Sequence, residues 1–143
     1  MKALEKSELI DDPYEPYYDH NQRVSNAPEE VRVVSETGGE KGQKLARYSL
    51  IPPAGLIALA ERYGYGAQKY ELRNWERGYD WSLSFDAMMR HAVAFWNGEE
   101  FDPDYPDSPH MAAVAFHAFA LMHFCADKES YGKFDDRIDQ NET

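Results

Sequence analysis

Between Arg90 and His117 the sequence reads RHAVAFWNGEEFDPDYPDSPHMAAVAFH, and this stretch holds the densest set of side chains able to do chemistry together. Glu99, Glu100, Asp102, Asp104 and Asp107 fall within nine residues, with His91 upstream and His110 and His117 downstream. Like charges crowded that closely repel one another unless water or a cation screens them. Carboxylate oxygens are also the ligands that Mg2+ and Mn2+ accept. A solvated acidic turn is the plain alternative. Against it stand the strongly apolar stretches on both sides, which carry histidines on or beside their apolar faces. His110 and His117 are seven residues apart, so on a helix they face the same way. A single buried histidine is usually a hydrogen-bonded core residue; two aligned beside a carboxylate turn point to a metal or a phosphate.

A second group lies upstream in AQKYELRNWERGYDW, which concentrates Lys69, Tyr70, Arg73, Asn74 and Trp75. A nucleotide site needs these types: cations for phosphate, an amide for a base edge and flat rings for stacking. Rings in a loop more often cap a hydrophobic core. SETGGEKGQKLARYS interleaves glycines with Lys41, Lys44 and Arg47, a composition whose backbone N–H groups can wrap phosphates. It lacks the Gly-Lys-Ser/Thr of a P-loop, and read by itself it is a mobile surface loop. Arg90 follows Asp86 by four residues, so its plain role is a surface ion pair.

Three helices must position these groups. The first is expected from about Pro52 and Pro53, where proline is tolerated, to Gly64 or Gly66. Leu56, Leu59, Ala60 and Tyr63 form its apolar face, with Glu61 beside it. The second is capped by Ser82 or Ser84 and ends at Gly98, with Met88, His91 and Phe95 on its buried stripe. The third begins near Pro109 and is apolar nearly all round, as a helix covered on most faces is. Residues 1–34, with Tyr14, Tyr17 and Tyr18, form an irregular arm, and Glu5 and Glu8 lie in it. Residues 127–143 form a polar tail. The domain proper is 35–126, an all-α small helical bundle, and so small a core is expected to be completed by oligomerisation into a homo-oligomer, a dimer or tetramer.

Composition narrows the function classes. The chain has 143 residues, 26 acidic against 15 basic, for a net charge of −11. Such a balance opposes binding to duplex nucleic acid through its backbone, yet leaves room for a small phosphorylated ligand held by metal and local cations. Aromatic residues make up 14% of the chain, which favours a folded protein over a disordered one. Cys125 is the single cysteine, so neither an intramolecular disulfide nor a cysteine-rich zinc site can form. The start, MKALEKSELIDD, has no apolar signal core, and no run is long enough for a bilayer. A cytoplasmic protein with no membrane partner is expected.

The segments SETGGEKGQKLARYSLIPPAGLIALAERYGYGAQKY, RNWERGYDWSLSFDAMMRH, FWNGEEFDPD and PHMAAVAFHAFALMHF, in that order, resemble the phage dATP/dGTP diphosphohydrolase-like family, grouped with the MazG-like all-α nucleotide pyrophosphohydrolases. The resemblance spans about Ser35 to Phe124. It implies a metal-dependent enzyme that cuts a nucleoside triphosphate, a purine dNTP, between the α and β phosphates. Carried over by position, His91, Glu99 and Asp102 are the catalytic candidates. Lys44, Lys69, Tyr70, Arg73, Asn74, Trp75 and Arg90 are the candidates for substrate binding. Glu61, Glu99, Glu100, Asp102, Asp104 and His110 are the candidate ligands of Mg2+ or Mn2+. Residue types alone do not choose between general base and ligand for His91 or His110. The sequence departs from the pattern at Ser49, where aspartate is expected, in a longer DPDYPDSPH turn, and in lacking an ExxE pair within the matched region. Those departures motivate the rival readings, a non-catalytic nucleotide-binding protein or an acidic phage interaction protein.

Overall fold

The structure is a computed structural model, and it describes residues 31–139. The N-terminal arm up to residue 30, including Glu5, Glu8 and its tyrosines, lies outside the described residues, as do residues 140–143. In chain order the elements are β1 (Val31–Val34), β2 (Glu40–Gln43), α1 (Pro53–Lys69), α2 (Trp81–Trp96), β3 (Phe101–Asp102), β4 (Tyr105–Pro109), α3 (His110–Ala126) and α4 (Lys128–Tyr131). Short 3-10 turns occupy Tyr48–Leu50, Asn74–Arg77 and Gly132–Phe134. The fold is all-α in its core, as expected. α3 is the central helix, with α2 and α1 packed against it. Ala112, Ala113 and Ala120 are buried on α3, and side chains that small let the neighbouring helices approach closely.

α1 runs on through Gly64 and Gly66 to Lys69 rather than stopping at a glycine. Neither glycine adopts a positive φ, so neither acts as a stop. Each costs about 1 kcal/mol of helix propensity, a penalty outweighed by packing on both sides of them: Tyr63 meets Phe116 with centroids 4.7 Å apart, and Tyr65 meets Tyr105 at 5.0 Å. α2 does end where expected, before Gly98 at φ 97°. Its start is capped from elsewhere. The Asp136 carboxylate accepts from the Ser82 backbone N–H at 2.9 Å and from the Ser82 hydroxyl.

The acidic turn is a small antiparallel hairpin, β3–β4, with an irregular register between Phe101 and Asp102. The basic glycine-rich segment is likewise ordered as a hairpin, β1–β2, pairing Val31 with Gln43 and Val34 with Glu40. The segment expected to be a polar tail carries α4 and the last 3-10 turn. Tyr131 and Phe134 pack on the core of Trp81, Ala120 and Phe124, joined by Trp75 and Tyr79. Tyr131 donates to the Glu76 carbonyl at 2.7 Å, and the Arg137 guanidinium lies 4.7 Å from the Trp81 ring centre. Among the described residues no helix is long and apolar enough to cross a membrane.

Gly78 lets this C-terminal segment close. Its backbone, at φ 83° and ψ 151°, occupies a region essentially reserved for glycine. A Cβ there would stand 2.5 Å from Phe134 Cε2. Gly78→Ala is therefore expected to destabilise the protein by about 2–4 kcal/mol, read as a fall in Tm. An unchanged Tm would contradict this packing.

Candidate functional site

α1, α2, the β3–β4 hairpin and the start of α3 enclose one cavity of about 880 Å3. Its polar end is built by bringing His91 from α2, Asp102 from β3 and His110 from α3 together. One donor atom from each lies within 4.8 Å of the others. His91 Nδ1 and His110 Nδ1 are 2.8 Å apart. On its far side His110 Nε2 is 2.8 Å from Glu99 Oε1. A carboxylate only accepts, so in the neutral ring the His110 proton sits on Nε2 and Nδ1 presents a bare lone pair toward His91 and Asp102.

Asp102 is buried and held from two directions. Arg62 Nη1 donates to Oδ2 at 2.8 Å, and the Asp104 backbone N–H donates to Oδ1 at 2.9 Å. Arg62 is itself mostly buried, reaches Ser108 Oγ at 3.4 Å, and lies 4.9 Å from the Tyr105 ring centre. Burial by itself would raise the Asp102 pKa. The hydrogen bonds from Arg62 and Asp104 and the Arg62 charge outweigh it and hold the carboxyl below its usual range. For His91 burial comes first and the Arg62 charge second; together they push its pKa down, so the ring is neutral near pH 7.

A second polar chain runs deeper. Tyr79 OH is 2.8 Å from the fully buried Ser84 Oγ, which is 3.1 Å from His117 Nδ1. The His117 ring stacks on His91, with centroids 6.3 Å apart. Burial, followed by the charges of His91, Arg62 and Arg90, lowers the His117 pKa to about 4. A histidine buried neutral favours the folded state fully above its unfolded pKa near 6.5, and that contribution is lost as pH falls through the window down to about 4. His91 and His123 shift in the same direction. Lowering the pH from 7 to 5 is expected to destabilise the protein by roughly 1–2 kcal/mol through His117, after discounting for solvent that reaches the ring. A Tm flat across that range would contradict the buried neutral ring.

Of the residues singled out from the sequence, His91, Glu99, Asp102, Asp104 and His110 line the cavity together. So do Lys69, Tyr70, Arg73, Asn74, Trp75 and Arg90. Arg73 is the one described non-glycine residue at positive φ, 57°, a strained conformation of the kind that gathers at functional sites. Arg90 forms no ion pair with Asp86 or any other described residue. Lys44, Glu61 and Glu100 lie outside the cavity. Lys44 is exposed beyond β2 and does not line the cavity. Glu61 is exposed and adjoins Arg62, so it points about 100° away around α1. The Glu100 side chain is exposed, while its carbonyl accepts from the His110 N–H at 2.9 Å. Ser49, the position of the departure, is also exposed and outside the cavity.

Arg62, Tyr79 and Ser84 were missed. Arg62 stands 40 residues from Asp102 in sequence, and no local pattern announces such a pair. The only signal was a charged residue next to the apolar stripe of α1.

The donor set suits a divalent ion. Two donors at right angles on one first-row ion, each about 2.1 Å from it, lie about 3 Å apart, close to the spacing of the two Nδ1 atoms. Each Asp102 oxygen keeps a lone pair beyond the hydrogen bond it accepts. Two imidazoles and one carboxylate suit Mn2+ and its neighbours better than Mg2+, which prefers oxygen throughout.

The fold and this site together are those of a small α-helical protein whose cavity gathers imidazoles and carboxylates at one end and cations and rings along its walls. Residues 35–137 match the family model described as dATP/dGTP diphosphohydrolase, N-terminal, and the chain belongs to that family of hydrolases. No curated protein and no solved structure matches the chain.

Proposed function

We propose that the chain hydrolyses a purine deoxynucleoside triphosphate, dATP or dGTP, to the monophosphate and pyrophosphate, using a divalent ion held by His91, Asp102 and His110. The observation that carries this reading is the convergence of those three donors at one end of a cavity whose other walls carry cations and aromatic rings. When bound, such an ion supplies a Lewis acid for the phosphate oxygens and lowers the pKa of a water for in-line attack at the α phosphorus. The chain's own residues do the rest. Glu99 fixes the tautomer and orientation of His110, as carboxylates commonly do for ligating histidines. Arg62 keeps Asp102 ionised and fixed. Lys69, Arg73 and Arg90 bind the phosphates and neutralise charge on the departing pyrophosphate. Trp75 and Tyr63, centroids 6.1 Å apart, form part of the wall for the base.

We extend the proposal to a homo-oligomer. A groove on the outer side of α2 is lined by the exposed Phe85, Met89 and Val93, and it shares Arg90 and Glu99 with the main cavity. Apolar area of that kind supports association through α2. Incubating the protein with each dNTP and Mn2+, then separating the products, tests the reaction. Monophosphate and pyrophosphate from dATP or dGTP are expected; recovery of every nucleotide intact would overturn it.

A further inference from the structure

The Tyr79–Ser84–His117 chain takes no part in the reaction just described, yet it ends at the cavity. Ser84 is wholly buried, and its hydroxyl bridges the phenol of Tyr79 and Nδ1 of His117. The phenol is the strongest neutral donor of the three, and hydrogen bonds in a row polarise one another. The favoured order runs from Tyr79 O–H to Ser84 Oγ and from Ser84 O–H to His117 Nδ1. That order leaves the proton of the neutral imidazole on Nε2. Nε2 has no partner among the described residues and is not sealed off from solvent, and His117 lines the cavity.

His117 follows His110 by seven residues on α3, which places it about 10 Å further along the helix axis. Its ring lies 6.3 Å from that of His91, so it borders the ion-binding cluster and is within a nucleotide's length of it. Around His117 the walls turn aromatic. Phe116 stands edge-on to it at 5.2 Å and packs on Tyr63 at 4.7 Å, with Trp75 next to Tyr63. Ring-lined walls with a few oriented polar groups are the form that confers specificity in small-molecule sites.

We propose that His117, held as an Nε2–H donor by Ser84 and Tyr79, binds a ring-nitrogen acceptor of the purine, N7 or N3, atoms that adenine and guanine share. The inference rests on the nucleotide reading above. It makes His117 a substrate-binding residue and makes Ser84 and Tyr79 positioning residues that act through it.

The test is a binding measurement that does not depend on turnover. Calorimetry with Mn2+ compares the α,β-methylene analogue of dATP with its 7-deaza and 3-deaza counterparts. Wild-type protein is expected to lose about 10- to 100-fold in affinity for one of the two deaza analogues. That penalty should disappear in His117→Leu and shrink in Ser84→Ala and Tyr79→Phe, two smaller changes that serve if His117→Leu fails to fold. Equal binding of all three analogues by the wild type, or a penalty that persists in the variants, overturns the role of His117 and leaves the hydrolysis reading standing. A deaza penalty without any dNTP turnover sustains the His117 role and removes hydrolysis. Absence of binding by all three analogues overturns the role of His117, and dNTP turnover then decides hydrolysis by itself.

Discussion

Asp102→Asn is expected to lower the rate of pyrophosphate formation by about a hundred- to a thousandfold, the scale set by removing a group that stabilises charge at the reacting centre. Asparagine keeps the shape of the side chain but offers one carbonyl oxygen where aspartate offers two carboxylate oxygens. Arg62 and the Asp104 N–H, which now bind one oxygen each, must compete for it. The remaining amide nitrogen is a donor and cannot ligate an ion. The substitution also removes the charge that balances Arg62, whose side chain is only 14% exposed. Stranding a buried cation costs about 3–5 kcal/mol when no partner remains; the surviving carbonyl and Ser108 reduce this to roughly 2 kcal/mol. Activity and Tm should therefore fall together. If the variant kept full activity, Asp102 would be only a structural partner of Arg62.

Phe124→Ala is expected to be the most damaging single change in the core, at about 3–5 kcal/mol. Phe124 is fully buried and meets Tyr131 at 4.8 Å, Tyr79 at 5.4 Å and Trp75 at 6.3 Å between centroids. Those rings come from the Trp75–Tyr79 turn and the C-terminal segment, so the cavity left behind cannot be filled by one helix shifting. Small domains carry only about 5–15 kcal/mol of stability, and a loss on this scale should lower Tm by ten degrees or more. Denaturation followed by circular dichroism measures it. A fall of less than about 1 kcal/mol would mean that the aromatic cluster does not hold the C-terminal segment in place.

Much of the site was legible because its key groups lie close together in sequence. His91, Glu99, Asp102 and His110 span the end of one helix, a turn and the start of the next, so the fold-back of two consecutive helices brings them near one another. What failed depended on contacts between distant segments. Arg62 is recognisable as the partner of Asp102 only once α1 is laid against the β3–β4 hairpin. Glu61 shared its neighbour's position beside the apolar stripe but not its direction. The hairpin itself was hidden by Pro106 and Pro109, which mark turns more often than strands. In the C-terminal segment charged residues masked Tyr131 and Phe134, whose anchoring role comes from Gly78 and Trp81, fifty or more positions earlier. Ser84 read as a possible helix cap; in the structure it is the middle of a hydrogen-bonded chain to His117, because α2 begins one turn earlier, at Trp81.

If paired imidazoles and one carboxylate grip a divalent ion, diffraction at the manganese edge from crystals soaked in Mn2+ with a non-hydrolysable dATP should reveal it directly. The expected result is one strong anomalous peak within bonding distance of His91 Nδ1, His110 Nδ1 and an Asp102 oxygen, with Glu99 still on His110 Nε2. No peak at that position, or manganese bound only by the exposed acids Glu100 and Asp107, would contradict it.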